Sequence, residues 1–162
     1  MDLAGIGKER LHLAWVSSAE AQRFVEVVSQ ATASVKAQGA FDPTAFTMQL
    51  EAAEKTLSGE TLRWLVGKEV KTTTTGDVYG RKWDVDSFET VLDSVLEREY
   101  HKNLILSAIK DGDSNVRTIH AKIGAKIGLP LQKISYLIAD LEKTGMAEFK
   151  GMHDGIPEFA VL

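Results

Sequence analysis

The chain has 162 residues, 44% of them apolar and 26% charged, enough for one fair-sized domain or two small ones whose core needs no covalent staples. Its 19 basic and 23 acidic side chains leave a net charge of −4, and it contains no cysteine. That composition excludes disulfides, thiol nucleophiles and cysteine-ligated zinc or iron–sulfur clusters within these residues.

Leu11-His12-Leu13-Ala14-Trp15-Val16 alternates large with small or polar side chains, which predicts a strand showing Leu11, Leu13 and Trp15 on one face. Ser17-Ser18-Ala19-Glu20 has the spacing of a capping box, and the helix it opens lines up Ala21, Phe24, Val25, Val28, Ala31, Thr32 and Val35 before stopping at Gly39. Asp42-Pro43 supplies the next N-cap, and Phe46, Leu50, Ala53 and Leu57 recur at helical intervals up to Ser58-Gly59. Thr61 to Val66 reads as one further short turn. The run Thr72–Thr75, followed by Gly76-Asp77 and Gly80, predicts an irregular hairpin, because β-branched residues resist helix and glycines permit tight turns. Helix resumes at Asp86 with Phe88, Val91, Leu92, Val95 and Leu96 on one face, which places a domain division at 85/86.

Residues 86–162 carry the clearest pattern. Leu104, Ile105, Ala108 and Ile109 mark a helix ending at Asp111-Gly112-Asp113. Ser114 caps a second helix bearing Val116, Ile119 and Ile123. A third places Leu131, Ile134, Leu137, Ile138 and Leu141 inward and closes at Gly145. Met146–Phe149 and Glu158–Val161 then read as strands around the turn pair Asp154-Gly155. Three helices followed by a two-stranded ribbon is the order of a winged helix-turn-helix. The expected fold class is thus α+β and mostly helical, with an N-terminal strand-helix segment and helical middle over residues 1–85 and a winged helix over 86–162. One irregularity is the immediate repeat Ala121-Lys122-Ile123-Gly124, Ala125-Lys126-Ile127-Gly128. Either the second helix continues with Ile127 in phase, or it ends at Gly124 and the copy lengthens the turn.

No grouping of residues supports catalysis. His12, His101, His120 and His153 stand in separate elements without metal-ligand spacing. The pairs Asp84/Asp86 and Asp111/Asp113 flank helix starts, where capping accounts for them. Trp15, Trp64 and Trp83 are spaced as packing or interface anchors. Because winged helices commonly bind DNA, the charge balance matters: residues 99–162 hold eight basic and eight acidic side chains, not the basic footprint that phosphate neutralisation favours. The candidate contacts to DNA or to a partner are Gln132, Lys133, Ser135 and Tyr136 at the start of the third helix, with Lys150 on the ribbon.

The segment Gly5-Ile6-Gly7-Lys8-Glu9-Arg10-Leu11-His12-Leu13-Ala14-Trp15-Val16-Ser17-Ser18-Ala19-Glu20 and the helix after it resemble the end of the delta (iron–sulfur) subunit of methyl-viologen-reducing hydrogenases. Gly5, Glu9, Arg10, Leu11, Trp15, Ser17, Ala19 and Glu20 carry the match. Residues 60–110, including Leu62-Arg63-Trp64-Leu65-Val66-Gly67-Lys68-Glu69-Val70 and Val78-Tyr79-Gly80, are similar to an extension found on some members of that family. The resemblance implies electron transfer to a heterodisulfide-reductase-like flavoprotein through a cysteine-ligated [2Fe–2S] cluster. This chain has no cysteine, so the cluster is expected only on an N-terminal part outside the sequence or on a partner, and no cofactor is expected here.

The leading expectation is a non-catalytic docking module of such a complex. Its partners would be hydrogenase or heterodisulfide-reductase-like subunits, with Leu11, Leu13 and Trp15 as the interface, or a second copy of the chain. The alternative is a winged-helix transcriptional regulator that binds DNA. No apolar run reaches the ~20 residues that span a bilayer, and Asp2, Glu9, Glu20 and Glu26 interrupt the N-terminal stretch. The expected setting is therefore cytoplasmic, with no membrane partner.

Overall fold

The computed structural model describes residues 1–162, which divide by their internal contacts into two units, Met1–Leu50 and Glu51–Leu162. The protein is α+β and mostly helical, and its only sheet is a two-stranded antiparallel ribbon at the C-terminal end. The division falls inside a helix and not at 85/86. Residues 51–84 belong with the C-terminal unit, where the Asn103 amide donates to the buried Thr56 hydroxyl at 2.9 Å.

In the first unit, a 3-10 turn at Lys8–Arg10 precedes an irregular segment over 11–17, and α1 follows at Ala21–Ala37. The strand expected at Leu11–Val16 does not form. Leu11 has extended backbone angles, but the segment joins no ladder, and an isolated strand leaves its N–H and C=O groups to water. Only half of the expected capping box is present: the Glu20 carboxylate accepts from the Ser17 amide at 2.8 Å, while the helix itself starts beyond Glu20. Gly39, at φ 71°, ends α1 as expected. Asp42 caps a 3-10 turn at Pro43–Phe46 by accepting from the Thr44 amide at 3.0 Å, and that turn leads into α2, Thr47–Ser58.

In the second unit α3 spans Glu60–Val70, longer than the short turn expected, and runs directly into a π-helical turn at Lys71–Thr75. The hairpin predicted from the threonine run is therefore absent. The hydroxyls of Thr73 and Thr74 donate back to the carbonyls of Glu69 and Val70, four residues earlier. Such back-bonding lets β-branched residues stay helical while loosening the ladder. Gly76, at φ 83°, stops the helix. Asp84 then caps α4, Val85–Lys110, one continuous helix of 26 residues whose C-terminal half holds the buried Leu104, Ile105, Ala108 and Ile109.

Asn115, not Ser114, is the N-cap of α5, Val116–Ile119, in a reciprocal capping box with Thr118. Ser114 instead serves the ribbon: its carbonyl accepts from the Phe159 amide at 2.7 Å. The repeated tetrapeptide resolves as a π turn at His120–Gly124 followed by the short α6, Ala125–Ile127. The helical run continues, but its apolar face does not. Ile123 is buried while Ile127 is 39% exposed, because a wide turn shifts the phase of the residues after it. The helix α7, Leu131–Lys143, buries Ile134, Leu137, Ile138 and Leu141 completely or nearly so and leaves Leu131 exposed. The strands β1, Ala147–His153, and β2, Ile156–Val161, pair around Asp154 and Gly155. Both turn residues have positive φ, 50° and 75°, as a two-residue hairpin turn requires.

Gly124 marks a tight approach. A Cβ there would lie 2.8 Å from the His120 ring, 2.8 Å from the Leu129 carbonyl oxygen and 2.9 Å from the Ile134 methyl. Gly124→Ala is expected to cost about 1–3 kcal/mol in chemical denaturation. Gly67→Ala, at a helical site with nothing within 4 Å, should instead add about 0.5–1 kcal/mol.

Candidate functional site

Two surfaces gather the residues singled out from the sequence. In the first unit Leu11, Leu13 and Trp15 are 69%, 85% and 83% exposed. Helix α1 buries no residue, and Phe24, Val25 and Val28 of its apolar stripe are exposed as well. A groove of about 530 Å³ runs between Val16, Glu20, Phe24 and Val25. The polar residues of the same segment hold its turns. The Arg10 guanidinium donates to the carbonyls of Gln38 at 3.0 Å and Gly39 at 3.2 Å and lies over the Phe41 ring, while the Ser34 hydroxyl donates to the Glu9 carbonyl at 3.4 Å. The backbone is thus fixed by polar contacts, and the large apolar side chains are left outward.

On the second unit Gln132, Lys133, Ser135 and Tyr136 are all exposed on the first turns of α7, and Lys150 is exposed on β1. The Ser135 hydroxyl donates to the Leu131 carbonyl at 3.2 Å, so it serves its own helix. Lys133 and Lys150 form no ion pair, whereas several nearby acids do. Lys122 binds Asp111 at 3.2 Å and Asp113 at 2.8 Å. On α7, Asp140 binds Arg98 and, at 2.9 Å, Lys102, whose side chain is only 8% exposed. Hydrogen bonds from Arg98 first and Lys102 second bring the Asp140 carboxyl down to about 2. The even charge balance of the sequence therefore does not describe the α7 surface, since three of the acids are engaged by cations behind or beside it.

His101 is the one buried imidazole. Its Nδ1 has no hydrogen-bond partner and lies 3.8 Å from Glu97. Desolvation is the main force lowering its pKa, with Glu97 opposing and Lys133 assisting. The buried Tyr100 hydroxyl next to it also lacks a partner, and burial pushes it up to about 12. The His12 ring donates through Nε2 to the Glu9 carbonyl at 2.7 Å, and His153 is exposed on the ribbon. The histidines stay apart, and no three His, Asp or Glu side chains converge in a metal-ligating group.

A third feature was not anticipated. The π turn and the loop after it enclose a cleft of about 490 Å³ with Lys68, Lys71, Arg81, Lys82 and Trp83 on its walls. Its sequence signal is the cluster of cations between Arg63 and Lys82, hidden by the expectation of a hairpin.

The fold and its surfaces define a mostly helical α+β protein with a C-terminal antiparallel ribbon and no helix long and apolar enough to cross a membrane. No protein-family model, curated protein or solved structure matches the chain.

Asp140 and the buried His101 set an acid dependence of stability. Asp140 has a depressed folded pKa, so its contribution is complete above the unfolded carboxyl range and is lost as pH falls from about 5 towards 2. His101 is also depressed, so protonation favours the unfolded chain once pH drops below about 6.5. Denaturation midpoints from pH 7 to 3 should fall for the native chain. His101→Gln should flatten the upper part of that decline and Asp140→Asn the lower part, and unchanged slopes would remove these assignments.

Proposed function

We propose that the chain is a non-catalytic docking module that seats on an oxidoreductase subunit of the hydrogenase–heterodisulfide-reductase type. The observation that carries this reading is the number of large apolar side chains the first unit leaves uncovered: α1 buries nothing, and Leu11, Leu13, Trp15 and Phe24 stand exposed. Large apolar and aromatic side chains left exposed in such number are characteristic of a protein interaction surface. The redox character of the partner rests on the resemblance at Gly5, Glu9, Arg10, Leu11, Trp15, Ser17, Ala19 and Glu20. The geometry is compatible with that motif having two jobs. Arg10 and Glu20 hold turns, while Leu11 and Trp15 are left for a partner. Any [2Fe–2S] cluster would belong to that partner or to residues outside this sequence, since no cysteine is present to ligate one.

A tagged chain should co-purify hydrogenase or heterodisulfide-reductase-like subunits from a native host. Leu13→Ser with Trp15→Ser should abolish the association without lowering the melting temperature. Recovery of no redox subunit, or association indifferent to both substitutions, would remove this reading.

A second reading is favoured by one observation on the other unit. Helices α4, α5–α6 and α7 followed by the β1–β2 ribbon have the element order of a winged helix, and Gln132, Lys133 and Tyr136 are exposed on α7 with Asp140 engaged elsewhere. On this reading the start of α7 enters the major groove and Lys150 on the ribbon meets the backbone. Fluorescence anisotropy with duplex DNA at physiological salt should then show binding that Lys133→Glu weakens by about tenfold. No salt-dependent retention on duplex DNA would dismiss it.

A further inference from the structure

A cluster of positive charge lies outside both surfaces. Between Thr61 and Trp83 stand Arg63, Lys68, Lys71, Arg81 and Lys82, against Glu69 and Asp77, in a chain whose net charge is −4. The fold brings four of these cations to one cleft of about 490 Å³, where the end of α3 and its π turn face the loop 76–83. The loop is tied down at both ends. The Gly76 amide donates to the Lys71 carbonyl at 2.7 Å, and the Trp83 amide donates to the Thr72 carbonyl at 3.1 Å. Gly76 is required where it stands: its φ is 83°, and a Cβ would lie 2.8 Å from the Arg81 carbonyl oxygen and 3.0 Å from the Lys82 side chain.

The sole carboxylate lining the cleft is already spent. Asp77 accepts from the amides of Tyr79 at 2.8 Å and Arg81 at 2.9 Å, and from Arg81 Nε at 2.7 Å. Lys68, Lys71 and Lys82 are left without any ion pair, three like charges sharing one depression that an anion would relieve. The aromatic side chains around them have no core role. Trp83 lines the cleft and is 50% exposed. Lys68 Nζ lies 5.5 Å over the exposed Trp64 ring, and the Arg81 guanidinium lies 5.0 Å over the exposed Tyr79 ring. Each cation–π contact holds a basic side chain at the cleft's edge. Trp83 has neither a cation nor another ring stacked on it. A volume of this size suits a small ligand, and ammonium groups beside an open indole match a phosphate joined to a planar base.

We propose that this cleft binds a nucleotide unit, with its phosphates on Lys68, Lys71 and Lys82 and its base stacked on Trp83. The unit is either a free mononucleotide or one nucleotide of a single strand, which present the same chemistry. The cleft is distinct from the α7 surface, so it stands whether or not α7 binds duplex DNA.

The test titrates the full chain with ATP, inorganic tripolyphosphate and an eight-residue oligo(dT), followed by calorimetry and by quenching of tryptophan fluorescence. ATP or the oligonucleotide should bind, more weakly as salt rises. The stronger of the two identifies the source, and either supports the proposal. Lys71→Ala with Lys82→Ala should weaken binding by about tenfold or more, and Trp83→Ala by about five- to tenfold with loss of most quenching, partly restored in Trp83→Phe. Lys36→Glu, on the other unit, should bind as the native chain does. If circular dichroism shows that the double variant is unfolded, Lys82→Met alone provides the same comparison. Absence of binding to either ligand at low salt, tripolyphosphate binding as tightly as ATP with no effect of Trp83→Ala, or full binding by the lysine variants would each overturn it.

Discussion

The packing of α7 on α4 governs the C-terminal unit. Ile134, Leu137, Ile138 and Leu141 of α7 are at most 1% exposed, and Leu104, Ile105 and Ala108 of α4 at most 2%. Each such large side chain contributes about 1.5–3 kcal/mol by leaving water. Asp140 adds direction to this nonspecific adhesion. It stands one residue before Leu141 and binds Arg98 and Lys102 of α4, which sets the rotation of α7 about its axis. Lys102 is the most enclosed member of this group, 8% exposed, so its ammonium depends on Asp140 for a partner. The ribbon inherits this placement. The Met146 amide bonds to the Leu141 carbonyl at 2.9 Å, and β1 leaves from there.

The same constraint explains why the exposed side of α7 is what it is. With one stripe buried and Asp140 drawn to α4, Gln132, Lys133 and Tyr136 are the side chains left to solvent. Gly124 belongs to this arrangement too, since the π turn can approach Ile134 only without a side chain there. The first unit follows the opposite logic. Its backbone is held by Arg10, Glu20 and Asp42 through hydrogen bonds, while its largest apolar groups remain uncovered. A unit stabilised by turns and exposing its aromatic residues is suited to completion by another surface.

Much of the C-terminal architecture was legible. The inward stripe of α7, the αL stop at Gly145 and the hairpin turn at Asp154-Gly155 all follow from periodicity and from which residues tolerate positive φ. Several readings failed for identifiable reasons. Alternation at Leu11–Val16 reports side-chain spacing, but a strand also needs a neighbour, and none is present. The apolar stripe of α1 forms, and it stays uncovered. Intrinsic preference argues against helix at the threonines 72–75, and the fold overrides it, with the Thr73 and Thr74 hydroxyls bonded to carbonyls four residues back. That override also conceals the cationic cleft from the sequence, because its walls come together only if the run stays helical.

By itself the sequence determined the local properties: the glycine stops of α1 and α7, which faces are apolar, the ribbon's turn, and the absence of any thiol chemistry. These depend on neighbours within a few residues, and such interactions are encoded in order and spacing. Tertiary structure alone decided which charges cancel, which apolar faces stay uncovered and which cations meet. Asp140 lies 42 positions from Arg98, and Thr56 lies 47 from Asn103. Pairings at that distance arise from packing, so composition could only report an even charge balance where the folded chain separates neutralised acids from free lysines.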